Sequence, residues 1–338
     1  MANESEFFEF VLIGFPGLSE RYYIAFGFLI FLIYTLSLCA NFTVIVLIFF
    51  KEHLHQPMYI IIASLAISDF LFDTSTLPKM IVKYWFGAGS MTFSGCFLQM
   101  TIIHTLNPLD SFIITLMAID RYVAILRPLR YHSVISGRLI IIVCTALYMI
   151  SVAIGLYIMT LGYYYPYTGS SKVKNFFCSI ATVSATAPID SSQNLWKAYC
   201  VGLACYLGPL SFIIFSYSII ITKICSSTRS ESWSKAFYTC VTHWFVIAIY
   251  FVPRLLVYSF DLFGKPPVDV YISLICLYTF VPHSTSPIIF CLRNEEIKRT
   301  LRSIFKRKNK LDTKIKKDGD CVKTIKIRTA EKPIIVGI

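Results

Sequence analysis

The sequence predicts an all-α membrane protein, a seven-transmembrane-helix bundle with a short amphipathic eighth helix. Three observations carry that expectation. Seven apolar stretches fill the chain from Tyr23 to Leu292, and a helix of about 20 apolar residues, rising about 1.5 Å each, crosses a bilayer core. Ionisable residues gather in the short connections between them. Composition agrees: 56% hydrophobic and 15% charged residues, with a mean hydropathy of +0.65, give more apolar surface than a soluble domain can hide.

Taken in order, residues 1–22 form an extracellular N-terminus. They carry Glu4, Glu6, Glu9 and Glu20, no Lys or Arg in the first 20 residues, and no uninterrupted apolar core before Tyr22, so no cleavable signal peptide is expected and the first helix directs insertion. The helices are expected at 23–50, 58–84, 93–126, 138–162, 197–224, 236–260 and 268–292, which together make a membrane domain over 23–292. Lys51 follows the first helix, Arg127, Arg130 and Arg138 surround the third connection, and Lys223, Arg229 and Lys235 surround the fifth. Cationic connections face the cytosol, so with seven spans the amino terminus lies outside, exposing the sequon Asn3-Glu4-Ser5 to glycosylation. Asn41-Phe42-Thr43 also fits the pattern, but it lies within the first helix, out of the enzyme's reach.

Residues 293–306, with Ile297, Leu301, Ile304 and Phe305 at helical spacing among cations, are expected to lie on the inner leaflet. Residues 307–338 form a basic cytoplasmic tail without sustained period, expected to be disordered. The segment 293–338 holds 15 basic and 6 acidic side chains, a net +9 of the formal +12. Adhesion to anionic lipid accounts for that charge, and no nucleic-acid partner is inferred.

Neither an internal repeat nor a pair of interrupted helices points to a transporter, and no filter-like glycine loop points to a channel. Pro108, Pro209, Pro253, Pro282 and Pro287 stand singly within helices, where each removes a backbone hydrogen bond and permits a bend. Cys39, Cys144, Cys205, Cys240 and Cys276 sit within helices as small apolar residues, and Cys321 reads as a plain cytosolic thiol. Cys96 and Cys178 both lie on the oxidising side and form a natural pair, with Cys200 as competing partner. Loop position favours Cys178.

Three carboxylates lie deep in the apolar stretches: Asp69 and Asp73, four apart on one helix face, and Asp110, eleven residues outward of Arg121. At that depth each must be neutralised by a proton, a polar partner or a cation.

The inner end of the third helix reads MAIDRYVAI, residues 117–125, and continues as LRPLRYHSVIS to 136. With GFPGL at 14–18, LHQPMY at 54–59, SLAISD at 64–69, KAFYTC at 235–240 before His243, and LRNEEIK at 292–298, the chain resembles the odorant receptors among the rhodopsin-like G-protein-coupled receptors. The agreement runs along nearly the whole chain. The resemblance supports the Cys96–Cys178 pairing and implies that Asp120, Arg121 and Tyr122 form an inner lock, with Lys235, Pro287 and Phe290 serving activation and G-protein coupling. Cys96 and Arg121 are 25 residues apart, about 37 Å along a helix, so the two lie at opposite faces.

The family carries acids at the positions of Asp69 and Asp110, which suggests a sodium ion between them as an allosteric ligand, against protonated, hydrogen-bonded acids. No other cofactor is expected. The resemblance also places ligands in the outer half of the bundle, near His104, Asn107, Phe251 and Arg254. For His104, packing competes with ligand contact, and Arg254 either reads an anionic ligand or snorkels to the headgroups.

The chain departs from the family pattern at Phe290 and Phe251, where Tyr is usual, in having no Trp at 138–162, and in having one cysteine in 163–195. No Lys occurs in 268–292, so no retinal Schiff base forms there. Ile103 stands where amine receptors carry an Asp. The resemblance thus implies a non-enzymatic receptor for a small-molecule odorant, acting on a heterotrimeric stimulatory G protein to raise cAMP, in the plasma membrane of olfactory sensory cilia. The alternatives are a rhodopsin-like receptor for a peptide or lipid and, more distantly, a small-solute transporter.

Overall fold

A computed structural model describes residues 9–15, 17–167, 171–226, 230–264, 266–293 and 296–303. Among these, seven helices exceed 25 residues: α1 (Tyr23–Phe50), α2 (Pro57–Phe86), α3 (Phe93–Leu126), α4 (Gly137–Tyr163), α5 (Ser192–Cys225), α6 (Ser230–Phe263) and α7 (Val268–Arg293). Their starts follow local chemistry. The Thr92 hydroxyl accepts from Gly95 N–H at 3.2 Å to cap α3, and Ser136 accepts from Leu139 N–H at 3.2 Å to cap α4. Gly87, at φ 72°, ends α2 in the left-handed region that favours glycine.

Hydropathy sets where a helix is expected to stop, but hydrogen bonding carries it further into water. α5 begins at Ser192 rather than 197, because the exposed Asp190 carboxylate accepts from both the backbone and the hydroxyl of Ser192, at 2.9 and 3.0 Å. Those bonds hold the Asp190 carboxyl below its usual range. α6 likewise begins at Ser230 rather than 236.

The helices differ in how much they bury. α1, α2, α4 and α5 are long and apolar enough to cross a membrane, but the apolar windows of α1, α4 and α5 are only 22–28% buried, against 61% for α2. The first three present leucine, isoleucine and phenylalanine outward, as lipid-facing helices must. α3 is less apolar because it faces protein: 18 of its 34 residues are buried, among them Gln99, Asn107, Asp110 and Ser111. Its contact with α4 depends on Gly155, where an added Cβ would lie 2.8 Å from the Thr101 carbonyl oxygen.

A small sheet, not anticipated from the sequence, lies at the end of the bundle that carries the Cys96–Cys178 disulfide. β1 (Glu9–Leu12) pairs antiparallel with β2 (Ser90–Thr92) and parallel with β3 (Lys172–Val173), in the order β2-β1-β3. Phe10 and Leu12 point inward and are buried, while Glu9 and Val11 point out, the alternation of a half-buried strand. Lys83 donates to the carbonyls of Leu12 and Ile13, and Phe15 N–H donates to the Tyr84 hydroxyl at 3.0 Å. Beneath, Phe10, Phe97 and Tyr167 pack with the Cys96–Cys178 disulfide, whose Cα atoms are 5.5 Å apart. Cys200 is free.

Past α7, residues 296–303 are helical, with the Thr300 hydroxyl donating to the Glu296 carbonyl at 2.8 Å. Ile304, Phe305, the expected disordered tail and Cys321 lie outside the described residues, as does Asn3.

Candidate functional site

Inward of the disulfide, a cavity opens between α3, α5, α6 and α7, roofed by the segment around Cys178. α3 supplies His104 and Asn107, three residues apart and therefore on one face. α5 supplies Tyr199 and Tyr206, and α6 supplies Arg254. The free space amounts to about 70 Å³. α3 also holds the roof: Cys178 N–H donates to Gln99 Oε1 at 2.9 Å, and Ile180 N–H donates to His104 Nε2 at 3.3 Å. His104 thus both packs and faces the cavity.

Arg254 is turned inward and is 2% exposed. Its Nη2 donates to Asn107 Oδ1 at 3.0 Å, and its Cζ stands 3.7 Å from the centre of the Tyr250 ring, a cation–π stack. Tyr250 in turn donates its hydroxyl proton to the Asn107 carbonyl at 2.6 Å. Among the described residues no carboxylate lies within 4.0 Å of Arg254. Phe251, expected near the ligand, is not among the residues that line this cavity. It is buried one turn inward, in the α3–α5–α6 core, edge-on to Tyr250 and Tyr206 with centroids 5.1 and 6.5 Å apart. A ring without a hydroxyl is satisfied by packing alone.

Deeper still, Asp69 and Asp73 of α2 and Asp110 of α3 converge on His283 of α7. His283 Nδ1 lies 3.3 Å from Asp73 Oδ1, and Nε2 lies 3.8 Å from Asp69 Oδ1 and 3.7 Å from Asp110 Oδ2. The Ser37 hydroxyl donates to Asp73 Oδ2, and Asn41 Nδ2 donates to the His283 carbonyl at 3.1 Å. Asp69 Oδ2 and both oxygens of Asp110 are buried without a hydrogen-bond partner, so oxygen donors that suit a hard cation are present. The imidazole is a poorer donor for such an ion. Sequence reasoning passed over His283; its signal was a lone ionisable ring between two prolines in an apolar stretch.

At the inner end of α3, the Asp120 and Arg121 side chains approach to 3.9 Å, and the Tyr131 hydroxyl donates to Asp120 Oδ1 at 2.7 Å. Burial first, and then the Asp120 carboxylate, pushes the Tyr131 phenol above the usual tyrosine range, so it stays protonated and able to donate. Tyr131 belongs to a one-turn helix, Tyr131–Val134, and lies inside the string LRPLRYHSVIS, where nothing about its own chemistry singles it out. Tyr122 packs against the cluster containing Ile114, Tyr217 and Tyr250. Pro287 is buried within α7. The side chains of Lys235 and Phe290 lie outside the described residues.

Seven long helices among the described residues, strapped at one end by a disulfide and carrying an Asp-Arg pair near the other end of the third, have the form of a polytopic membrane protein. A protein-family model described as olfactory receptor matches residues 30–308. Olfactory receptor 1A1 of Pan troglodytes is 32% identical over 309 residues, covering 90% of this chain and 98% of the relative. Olfactory receptor 2A7 of Mus musculus is 31% identical, covering 90% and 97%, and olfactory receptor 51L1 of Homo sapiens is 32% identical, covering 86% and 92%. The chain belongs to the olfactory receptor family. Membership makes it a non-enzymatic, multi-pass receptor of the plasma membrane, and implies a small-molecule odorant and a G protein as partners.

Proposed function

We propose that this receptor binds its odorant in the cavity beneath the Cys96–Cys178 strap and, in the bound state, activates a stimulatory G protein, with its amino terminus outside the cell and its working site in sensory cilia. The observation that carries this reading is the cavity between α3, α5, α6 and α7 beneath the segment around Cys178. A ligand that fits one packing of those helices better than another shifts the population between them by its difference in affinity. α3 links the two ends, since His104 and Asn107 face the cavity and the same helix carries Asp120 and Arg121 in its last two turns. A cavity of this size suits a volatile rather than a folded peptide. The test is cAMP in cells expressing the full chain under a panel of odorants, with Val257, a cavity-wall residue, replaced by Trp. Loss of responses at unchanged surface level supports the site, and responses that persist unaltered remove it.

A sodium ion between Asp69 and Asp110 belongs to the same proposal. His283 supplies at most one positive charge against three carboxylates, which leaves negative charge for a cation or for protons to balance. Agonist potency in the wild type is expected to change when sodium is replaced by a larger organic cation, and Asp110→Asn is expected to abolish that change. Equal sodium dependence in the two proteins leaves no role for the ion there.

A further inference from the structure

We propose that the ligand of this cavity is an acid: a small organic anion whose carboxylate is held by Arg254. The inference rests on the cavity being the odorant site and names the chemistry of what enters it.

A guanidinium taken out of water loses hydration worth several kcal/mol unless an anion and further hydrogen bonds replace it. Arg254 has lost its water, being 2% exposed, yet no side-chain carboxylate among the described residues pairs with it. Its best partner is a neutral amide, Asn107 Oδ1 at 3.0 Å; the Tyr250 carbonyl lies at the 3.5 Å limit, and Nε has no partner. A purely structural arginine at this depth would pair with a carboxylate or reach out to the headgroups. Arg254 does neither: its Cζ stands 3.7 Å from the centre of the Tyr250 ring. The nearest turn of α3 offers Asp110, but that carboxylate faces His283.

The fork geometry selects the anion. Guanidinium presents paired N–H groups to two coplanar oxygens, and a carboxylate matches them with charge-assisted bonds about twice as strong as neutral ones. Asn107 and the Tyr250 ring fix the plane of the fork before any ligand arrives, so little ordering entropy is lost on binding. The remaining wall is apolar and aromatic, including Ile103, Val257 and Ile275, which suits a hydrocarbon tail. The free space of about 70 Å³ limits that tail to a few carbons unless the tyrosines move. Amines are disfavoured, because the Arg254 guanidinium in the cavity wall repels a cation.

The test uses straight-chain carboxylates of two to ten carbons and their methyl esters and alcohols, read by cAMP in cells expressing the full receptor, with surface level measured by flow cytometry. Wild type is expected to respond to at least one acid at a concentration at least tenfold below that of its ester. Arg254→Ala is expected to raise the half-maximal acid concentration about a hundredfold. Arg254→Lys, which keeps the charge and loses the fork, is expected to raise it about tenfold and guards against a folding defect. Silence toward every acid, esters as potent as acids, or an acid response equal in wild type and Arg254→Ala overturns the inference. If neutral compounds still act and Val257→Trp abolishes them, the cavity stands and only its acid preference falls. If Val257→Trp alters nothing, the cavity reading fails as well.

Discussion

At the scale of single residues, ionisable groups in apolar surroundings are legible in the sequence itself, because burying them is costly enough to demand a reason. Asp69, Asp110 and Arg254 stand out on that ground, and each occupies a buried polar site. What the sequence does not show is how residues far apart in the chain meet. Asp69 and His283 are separated by more than two hundred positions, and the partner of Asp120 proved to be Tyr131, a residue with no charge to draw notice. Tyr131 holds Asp120 more closely than Arg121 does, so Tyr131→Phe removes the shorter restraint. We expect this variant to raise agonist-independent cAMP by about tenfold or more, since a hydrogen bond to a charged group contributes about 1.5–3 kcal/mol. Basal signalling equal to wild type at matched surface level would show that the tyrosine restrains nothing.

At the scale of elements, the helices were legible because each needs only its own residues: an apolar run of sufficient length and a cationic stop. The strands were not, since Glu9–Leu12 is four residues long and is a strand only because Ser90–Thr92 and Lys172–Val173 lie beside it. Helix contacts make their own predictions. Gly155→Val forces a side chain against the Thr101 carbonyl and the Thr105 hydroxyl, and overpacking of this kind costs about 1–3 kcal/mol. Thermal unfolding of purified receptor in detergent should show a lowered midpoint, and an unchanged midpoint would mean that α3 and α4 separate freely. Cys178→Ser opens a loop closed over 82 residues, a loss of about 4–5 kcal/mol in the chain-entropy account. Its expected outcome is retention inside the cell, seen as loss of surface label with intact total protein.

For the whole molecule, orientation follows from where the cations lie, and the two chain ends should face opposite sides. An epitope before Glu9 should stain on intact cells and one after Lys332 only after permeabilisation; staining of both on intact cells contradicts the topology. The class was legible from the ordered strings that run along the chain, and the resemblance pointed to His104, Asn107 and Arg254, whereas the rest of the cavity wall was not legible, since it exists only where four helices and one loop converge. The outer sheet carries a further consequence, for the order of biosynthesis. In the proposed orientation residues 9–12 cross early into the oxidising compartment, yet their parallel neighbour, Lys172–Val173, is translated about 160 residues later. The leading segment can therefore pair first with Ser90–Thr92, after two helices, and the sheet is completed only when four have been made.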